Sequence, residues 1–244
     1  MRRSSEPTIE ERGSRSPETR TRMIRRVLLV CGILAPLLYV AINIVGAMQF
    51  MGYSSISQTV SELSAIGAPS RPLWVRLGIV YDVLVIAFGV GVWVSAPGKR
   101  ALRVVGGILV ADGLISLAWP PMHLRGAGTS LTDAMHIVFT GVAVPLMLLA
   151  MGLGATAFGK RFRIYSIASI LITLVFGALT GLYGPRIPKN LPTPWVGVWE
   201  RISIAAFMFW IVVLATALLR AQGERPQVGL GARRDSGLGA RHAA

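Results

Sequence analysis

The chain has 244 residues, of which 53% are apolar and 15% charged, with a formal net charge of +14 and a mean hydropathy of +0.59. That apolar content excludes a disordered chain, and a single cysteine, Cys31, excludes a disulfide scaffold. A soluble nucleic-acid binder carries such charge without so much Leu, Val, Ile and Ala. No nucleic-acid partner is therefore expected, and the class that remains is a multi-pass membrane protein whose cations sit outside the bilayer.

A hydrocarbon core about 30 Å thick asks for roughly 20 apolar residues per helix. In chain order, segment 1–26 is rich in Arg, Ser, Glu and Pro and is expected to be a disordered basic cytoplasmic tail. The first span is 27–48. Its apolar stretch exceeds the roughly 7–15 residues of a signal-peptide core and no A-x-A site follows, so it is read as a retained helix with Cys31 a buried, inert thiol. The second and third spans, 73–96 and 101–119, form a hairpin turning at about Gly98. The fourth, 131–158, is the longest and contains Pro145, so a tilt or kink is expected. Spans 164–183 and 196–219 follow, and 220–244 is a second disordered cytoplasmic tail. The predicted fold is all-α, a polytopic integral membrane protein with a six-transmembrane-helix bundle.

Lys and Arg orient this bundle. Nineteen of them lie in the two tails and in the tight turns around Lys99–Arg103 and Lys160–Arg163, against six on the alternate side: Arg71, Arg76, Arg125, Arg186, Lys189 and Arg201. The positive-inside rule then places both termini in the cytoplasm, in a bacterial-type inner (plasma) membrane. The cytoplasmic regions carry +13 and the rest +1, so the net charge is chiefly a topology signal. Longer connections fall on the outer side, where Trp74, Trp119, Trp195 and Trp199 suit an interfacial aromatic belt.

The first outer connection, 52–67, reads as a short surface helix. Ser55 with Gln58, and Thr59 with Glu62, have capping-box spacing. Ile56, Val60 and Leu63 form one apolar stripe, and Gly67 with Pro69 ends it. Ser54, Ser57, Ser61 and Glu62 lie opposite that stripe. Two roles fit: a structural lid packed on the bundle, or a lid whose Glu62 and serines line a binding site beneath it.

The run Ser61-Glu62-Leu63-Ser64-Ala65, between a first and a second span, resembles the signature of the domain of unknown function 998 family. Trp119-Pro120-Pro121 at the end of the third span, followed by His136 entering the fourth, resembles it too. The resemblance covers roughly 27–219 and implies a prokaryotic membrane protein of about six spans, not a reaction. It also implies an acidic residue soon after the prolines, where this chain has Met122-His123.

The acids outside the tails are Glu62, Asp82, Asp112, Asp133 and Glu200. A charge near the bilayer centre costs about 2.5–3.5 kcal/mol on insertion scales, so each needs a partner or a wet cavity. Asp82 precedes Gly98 by 16 residues and Asp112 follows it by 14. At 1.5 Å per residue the two differ in depth by about 3 Å. Two such carboxyls do not both ionise readily, which suits a shared proton or a cation. The alternative is that each is neutral, or paired separately with Arg76, Arg103 or Ser116. Asp133 and His136 share a face at the start of the fourth span, with His123 in the loop before it. Either they supply acid–base or metal-ligand groups, or Asp133 caps the helix and His136 hydrogen-bonds inside the bundle. Membrane zinc hydrolases carry a richer histidine set, so no metal and no other cofactor is expected. Nucleotide-binding, serine-hydrolase, zincin and paired-cysteine motifs are missing.

Two functions follow from these residues. One is a non-enzymatic membrane protein whose outward-facing pocket, formed by Glu62, Asp82, Asp112, Asp133 and His136, binds or passes a small cation, a proton or a lipid headgroup. The other is a membrane-embedded lipid hydrolase or transferase using Asp133, His136 and His123. A structural partner of another membrane protein is the third and plainest role.

Overall fold

The computed structural model describes residues 17–223; the expectations for 1–16 and 224–244 lie outside the described residues. Helix α1 spans Pro17–Gln49, α2 Val60–Leu63, α3 Arg71–Ser95, α4 Arg100–Leu117, α5 Leu131–Gly154, α6 Lys160–Tyr183 and α7 Val196–Gly223, with one 3-10 turn at Gly184–Arg186. The six long helices stand in a ring in chain order: α1 packs on α3, α3 on α4, α4 on α5, α5 on α6 and α6 on α7, and α7 closes the ring against α1. Short turns join the helices at one end. At the other, the loops 50–70, 118–130 and 184–195 gather into a cap. Among the described residues five helices are long and apolar enough to cross a membrane: Glu18–Gln49, Arg71–Ser95, Leu131–Gly154, Lys160–Arg186 and Val196–Gly223. Helix α4 falls outside that set; it has 18 residues and carries Arg100, Arg103 and Asp112.

The outward faces of the ring are apolar, with Leu37, Val40, Ile44, Leu171, Val175 and Phe209 exposed. The inward faces meet in one cluster around Phe88, Leu109, Met151, Phe207, Trp210 and Leu214. The Trp210 indole N–H is buried there and donates to Ser166 Oγ at 2.9 Å. Helices α3 and α4 approach closely at glycines: a Cβ on Gly106 would stand 2.7 Å from Gly89 O, and one on Gly89 2.8 Å from Gly106 O. Small residues let the two backbones touch. A Cβ on Gly177 would stand 3.3 Å from Ser203 Oγ, whereas Gly181 faces open space, so the G-x-x-x-G spacing of α6 is used at one position.

Several boundaries differ from the sequence expectation. Helix α1 begins ten residues before 27, inside the segment expected as tail. Pro17 at its start and Glu18 in its first turn suit a helix N-terminus. Arg22 Nη2 donates to Gln222 O at 3.0 Å, a cation on the partly negative C-terminal end of α7. That end is itself longer than expected, and Gln222 Nε2 donates to Ser95 Oγ at 3.2 Å. The expected 52–67 helix contracts to the four residues of α2. Thr59 and Glu62 form the anticipated capping box. Ser55 and Gln58 do not: Gln58 Oε1 instead accepts from Ser54 N at 2.8 Å, and Gln58 N donates to Ser54 O at 2.8 Å, a closed turn before Thr59. Ile56 accordingly leaves the stripe and is 52% exposed, while Val60 and Leu63 are buried. Gly67 stops the segment with a φ of +92°.

Candidate functional site

The cap is organised by buried charge. Glu62 is fully buried because α2 is one turn long and its N3 side chain folds back to the helix start. Its Oε2 accepts from Thr59 N at 2.8 Å and from Thr59 Oγ1 at 3.0 Å. Across the cap, Arg125 grips the same carboxylate with two parallel bonds, Nε to Oε1 at 3.0 Å and Nη2 to Oε2 at 3.1 Å. Two-pronged guanidinium–carboxylate pairing is both strong and directional. Arg125 also donates to Ser57 O and Leu191 O, and Thr193 Oγ1 donates to Ser57 O at 2.7 Å. One cation therefore joins all three cap loops.

A second set of bonds ties the cap to α7. Glu200 accepts from the backbone N–H of Val60, the first residue of α2, and from Ser61 Oγ at 3.4 Å. Arg201 Nη1 donates to Ser55 O, Gln58 O and Gly197 O, and its Nη2 donates to the Tyr53 hydroxyl at 2.6 Å. That hydroxyl passes its own proton to Thr59 O at 2.7 Å. Burial pushes the Tyr53 phenol up to about 12, against the opposing pull of the Arg201 guanidinium. The fit is close: a Cβ on Gly197 would lie 2.2 Å from Gln58 O and 2.5 Å from Ser55 O.

The histidines lie along the same face in two separate sets. Asp133 completes a capping box with Ser130 at the start of α5. It also accepts from His123 N at 2.6 Å and stands 3.0 Å from His123 Nδ1. His136, one turn on, points elsewhere: Nε2 lies 3.2 Å from Ser61 Oγ, and Trp119 Nε1 donates to Nδ1 at 3.0 Å. Nδ1 also lies 2.8 Å from Pro120 O; an indole N–H only donates and a carbonyl only accepts, so the two Nδ1 contacts favour opposite tautomers, and Ser61 Oγ reaches Glu200 Oε1 at 3.4 Å. The line Trp119–His136–Ser61–Glu200 thus binds α5, α2 and α7 together. Among the described residues no three His, Cys, Asp or Glu side chains are grouped to hold a metal ion.

Asp82 and Asp112 sit beneath the cap, on α3 and α4. Both are buried, at 7% and 6% exposure, on two helices packed against each other. The register follows from Gly113, whose α-carbon lies against the α3 backbone: a Cβ there would be 3.3 Å from Asp82 O. Among the described residues no cation pairs with either carboxyl, and Asp112 Oδ1 is buried without a hydrogen-bond partner. The Arg76, Arg103 and Ser116 pairings weighed from sequence do not form.

The five residues expected to share one pocket therefore divide into three places. Glu62 and His136 are joined through Ser61 in the cap, Asp133 belongs to the His123 pair, and Asp82 with Asp112 lies deeper. A groove of about 510 Å³ between α1 and α3 is lined by none of the five. Arg125, Glu200, Arg201 and Tyr53 were missing from the expected set. The available signal was charge arithmetic: Glu62 is the one acid of its loop and Arg125 the one cation of the next.

A ring of long apolar helices, closed at one end by an ion-paired loop cap, fits a membrane protein. The family model described as "Protein of unknown function (DUF998)" matches residues 33–217, well over half of the chain, and the chain belongs to that family. No curated protein and no solved structure matches it.

Proposed function

We propose that this is a multi-pass protein of a bacterial-type inner (plasma) membrane. Its six ring helices all cross the bilayer, both termini are cytoplasmic, and the cap, α2 included, faces outward. In this reading Asp82 and Asp112 bind or pass a small cation or proton beneath the cap. Support for the sixth span is the place of α4 between α3 and α5 in the ring; 18 residues reach about 27 Å. Support for the orientation is the excess of Lys and Arg at the uncapped end. The wider set of Glu62, Asp133 and His136 holds the cap over the pair and does not line a pocket with it.

The observation that carries the reading is the unpartnered, buried Asp112 Oδ1 beside Asp82. A carboxyl buried in low dielectric with no cation nearby is satisfied by taking up a proton or a metal cation. The test is thermal stability of the purified full chain across pH and across Na+, K+, Mg2+ and Ca2+, with proton or ion flux in liposomes. The wild type responds to one of these species, and the double variant Asp82→Asn/Asp112→Asn does not. A response equal in both proteins, or none in the wild type, refutes the reading.

A further inference from the structure

The groove between α1 and α3 lies at the cap end, where the last residue of α1 meets the first two turns of α3. It measures about 510 Å³ and is lined by Gln49, Pro69, Pro72, Leu73, Arg76 and Leu77. Four of these are apolar, and two are polar groups able to donate to an oxygen anion.

Arg76 is the unusual member. Arg71, Arg125 and Arg201 are held by protein oxygens, and Arg186 stacks on Tyr183. Arg76 is exposed and, among the described residues, has no hydrogen-bond or ion-pair partner. Its helix adds to the positive field: α3 has no acidic residue in its first turn and no side-chain cap, so the partial positive charge of its N-terminus stays uncompensated. Ser70, the residue at the cap position, turns its hydroxyl to Leu63 O at 2.7 Å instead.

Depth supplies the second argument. Arg76 stands five residues into a helix of spanning length, about 8 Å below its start. That is the level at which lipid phosphates and esters meet hydrocarbon. An unpaired arginine there reaches for an anion rather than for water alone. Leu77 lines the groove just below Arg76, and the exposed Val80 on the same face continues the apolar surface down α3, in the direction an acyl chain takes.

We propose that this groove seats one anionic glycerophospholipid. Arg76 pairs with the phosphodiester, Gln49 donates its side-chain amide to a headgroup or ester oxygen, and the first acyl carbons run along Leu77 and Val80. The proposal rests on the bundle spanning a bilayer and is independent of the Asp82–Asp112 pair.

The test is native mass spectrometry of the full chain in detergent, titrated with dioleoyl-phosphatidylglycerol, dioleoyl-phosphatidylcholine or glycerol phosphate. The wild type retains the anionic lipid in preference to the other two. Arg76→Gln weakens retention about tenfold, a loss on the scale of one charge-assisted contact, and Arg76→Lys restores most of it. Leu77→Trp, which fills the groove and keeps the charge, weakens retention as well. Arg186→Gln, at an exposed cation stacked on Tyr183, leaves it unchanged. Equal retention by wild type and Arg76→Gln overturns the proposal, as does an equal loss in Arg186→Gln. Glycerol phosphate bound as tightly as the lipid overturns it too, because the groove would then hold a free phosphate. Thermal scans of each variant establish that it is folded, so unchanged stability with lost lipid supports the assignment.

Discussion

Replacing Arg125 by Gln should loosen the cap, and the size of the effect follows from what is left behind. The Glu62 side chain is 0% exposed and that of Arg125 16%, so neither charge escapes into water without local opening. Removing one partner of a buried ion pair costs about 3–5 kcal/mol, because the survivor stays buried and uncompensated. Glu62 would retain Thr59 N–H, Thr59 Oγ1 and the Gln58 amide as donors, which sets the lower end, about 3 kcal/mol. Glu62→Gln is milder: its amide oxygen still caps α2, and Arg125 keeps Ser57 O and Leu191 O, for about 1–2 kcal/mol. The double variant Glu62→Gln/Arg125→Gln leaves no orphaned charge and should lose about 1–2 kcal/mol rather than the sum, a coupling of about 2–4 kcal/mol. At about 2–4 °C per kcal/mol for a chain of this size, Arg125→Gln lowers the Tm in detergent by roughly 6–12 °C, and adding Glu62→Gln recovers much of it. Limited proteolysis of 50–70 should rise and fall in parallel. Additive losses in the double variant, or an unchanged Tm for Arg125→Gln, would sink the argument that this pair locks the cap.

Two further outcomes follow from the contact between cap and α7. Gly197→Ala places a methyl against Gln58 O and Ser55 O, where backbone must move; a loss of about 1–3 kcal/mol is expected, with faster hydrogen exchange at Gly197 and Val198, whose N–H groups bond Ile56 O. Wild-type exchange there would contradict it. Alkali is the second perturbation. The phenol of Tyr53 is raised from 10 to about 12 in the folded chain, so folding favours its neutral form. That contribution is complete below pH 10 and fades as pH climbs from 10 through about 12. Tyr53→Phe should be less stable than the wild type at neutral pH, yet lose less stability across that window. Identical alkaline profiles would show that the hydroxyl is not held by Arg201 and Thr59.

The long helices were legible in the sequence because the requirement behind them is local: about 20 consecutive apolar residues, bounded by Gly, Pro and clustered charge. The Thr59/Glu62 capping box was legible for the same reason, since three residues of spacing decide it. The near-equal depth of Asp82 and Asp112 needed only a hairpin turn and a rise per residue. What depends on rotation about a helix axis, or on which loops meet, was not available locally. Glu62 and Arg125 are 63 residues apart, and α3, α4 and their turn must run down and back before the two loops touch. The same holds for Glu200 on the start of α2, which becomes a neighbour only when α7 closes the ring against α1. His136 and Asp133, three apart and on one helix face, look from sequence like one site. The structure separates them, because Ser130 and His123 claim Asp133 at the helix start while Trp119 and Ser61 claim His136 one turn deeper. The sequence by itself determined the long apolar helices and put Glu62, Asp133 and Glu200 in or beside the connections at one end. Only the tertiary structure decided which acids lock the cap and which are left without a partner, since a buried charge takes the nearest complement that packing brings to it.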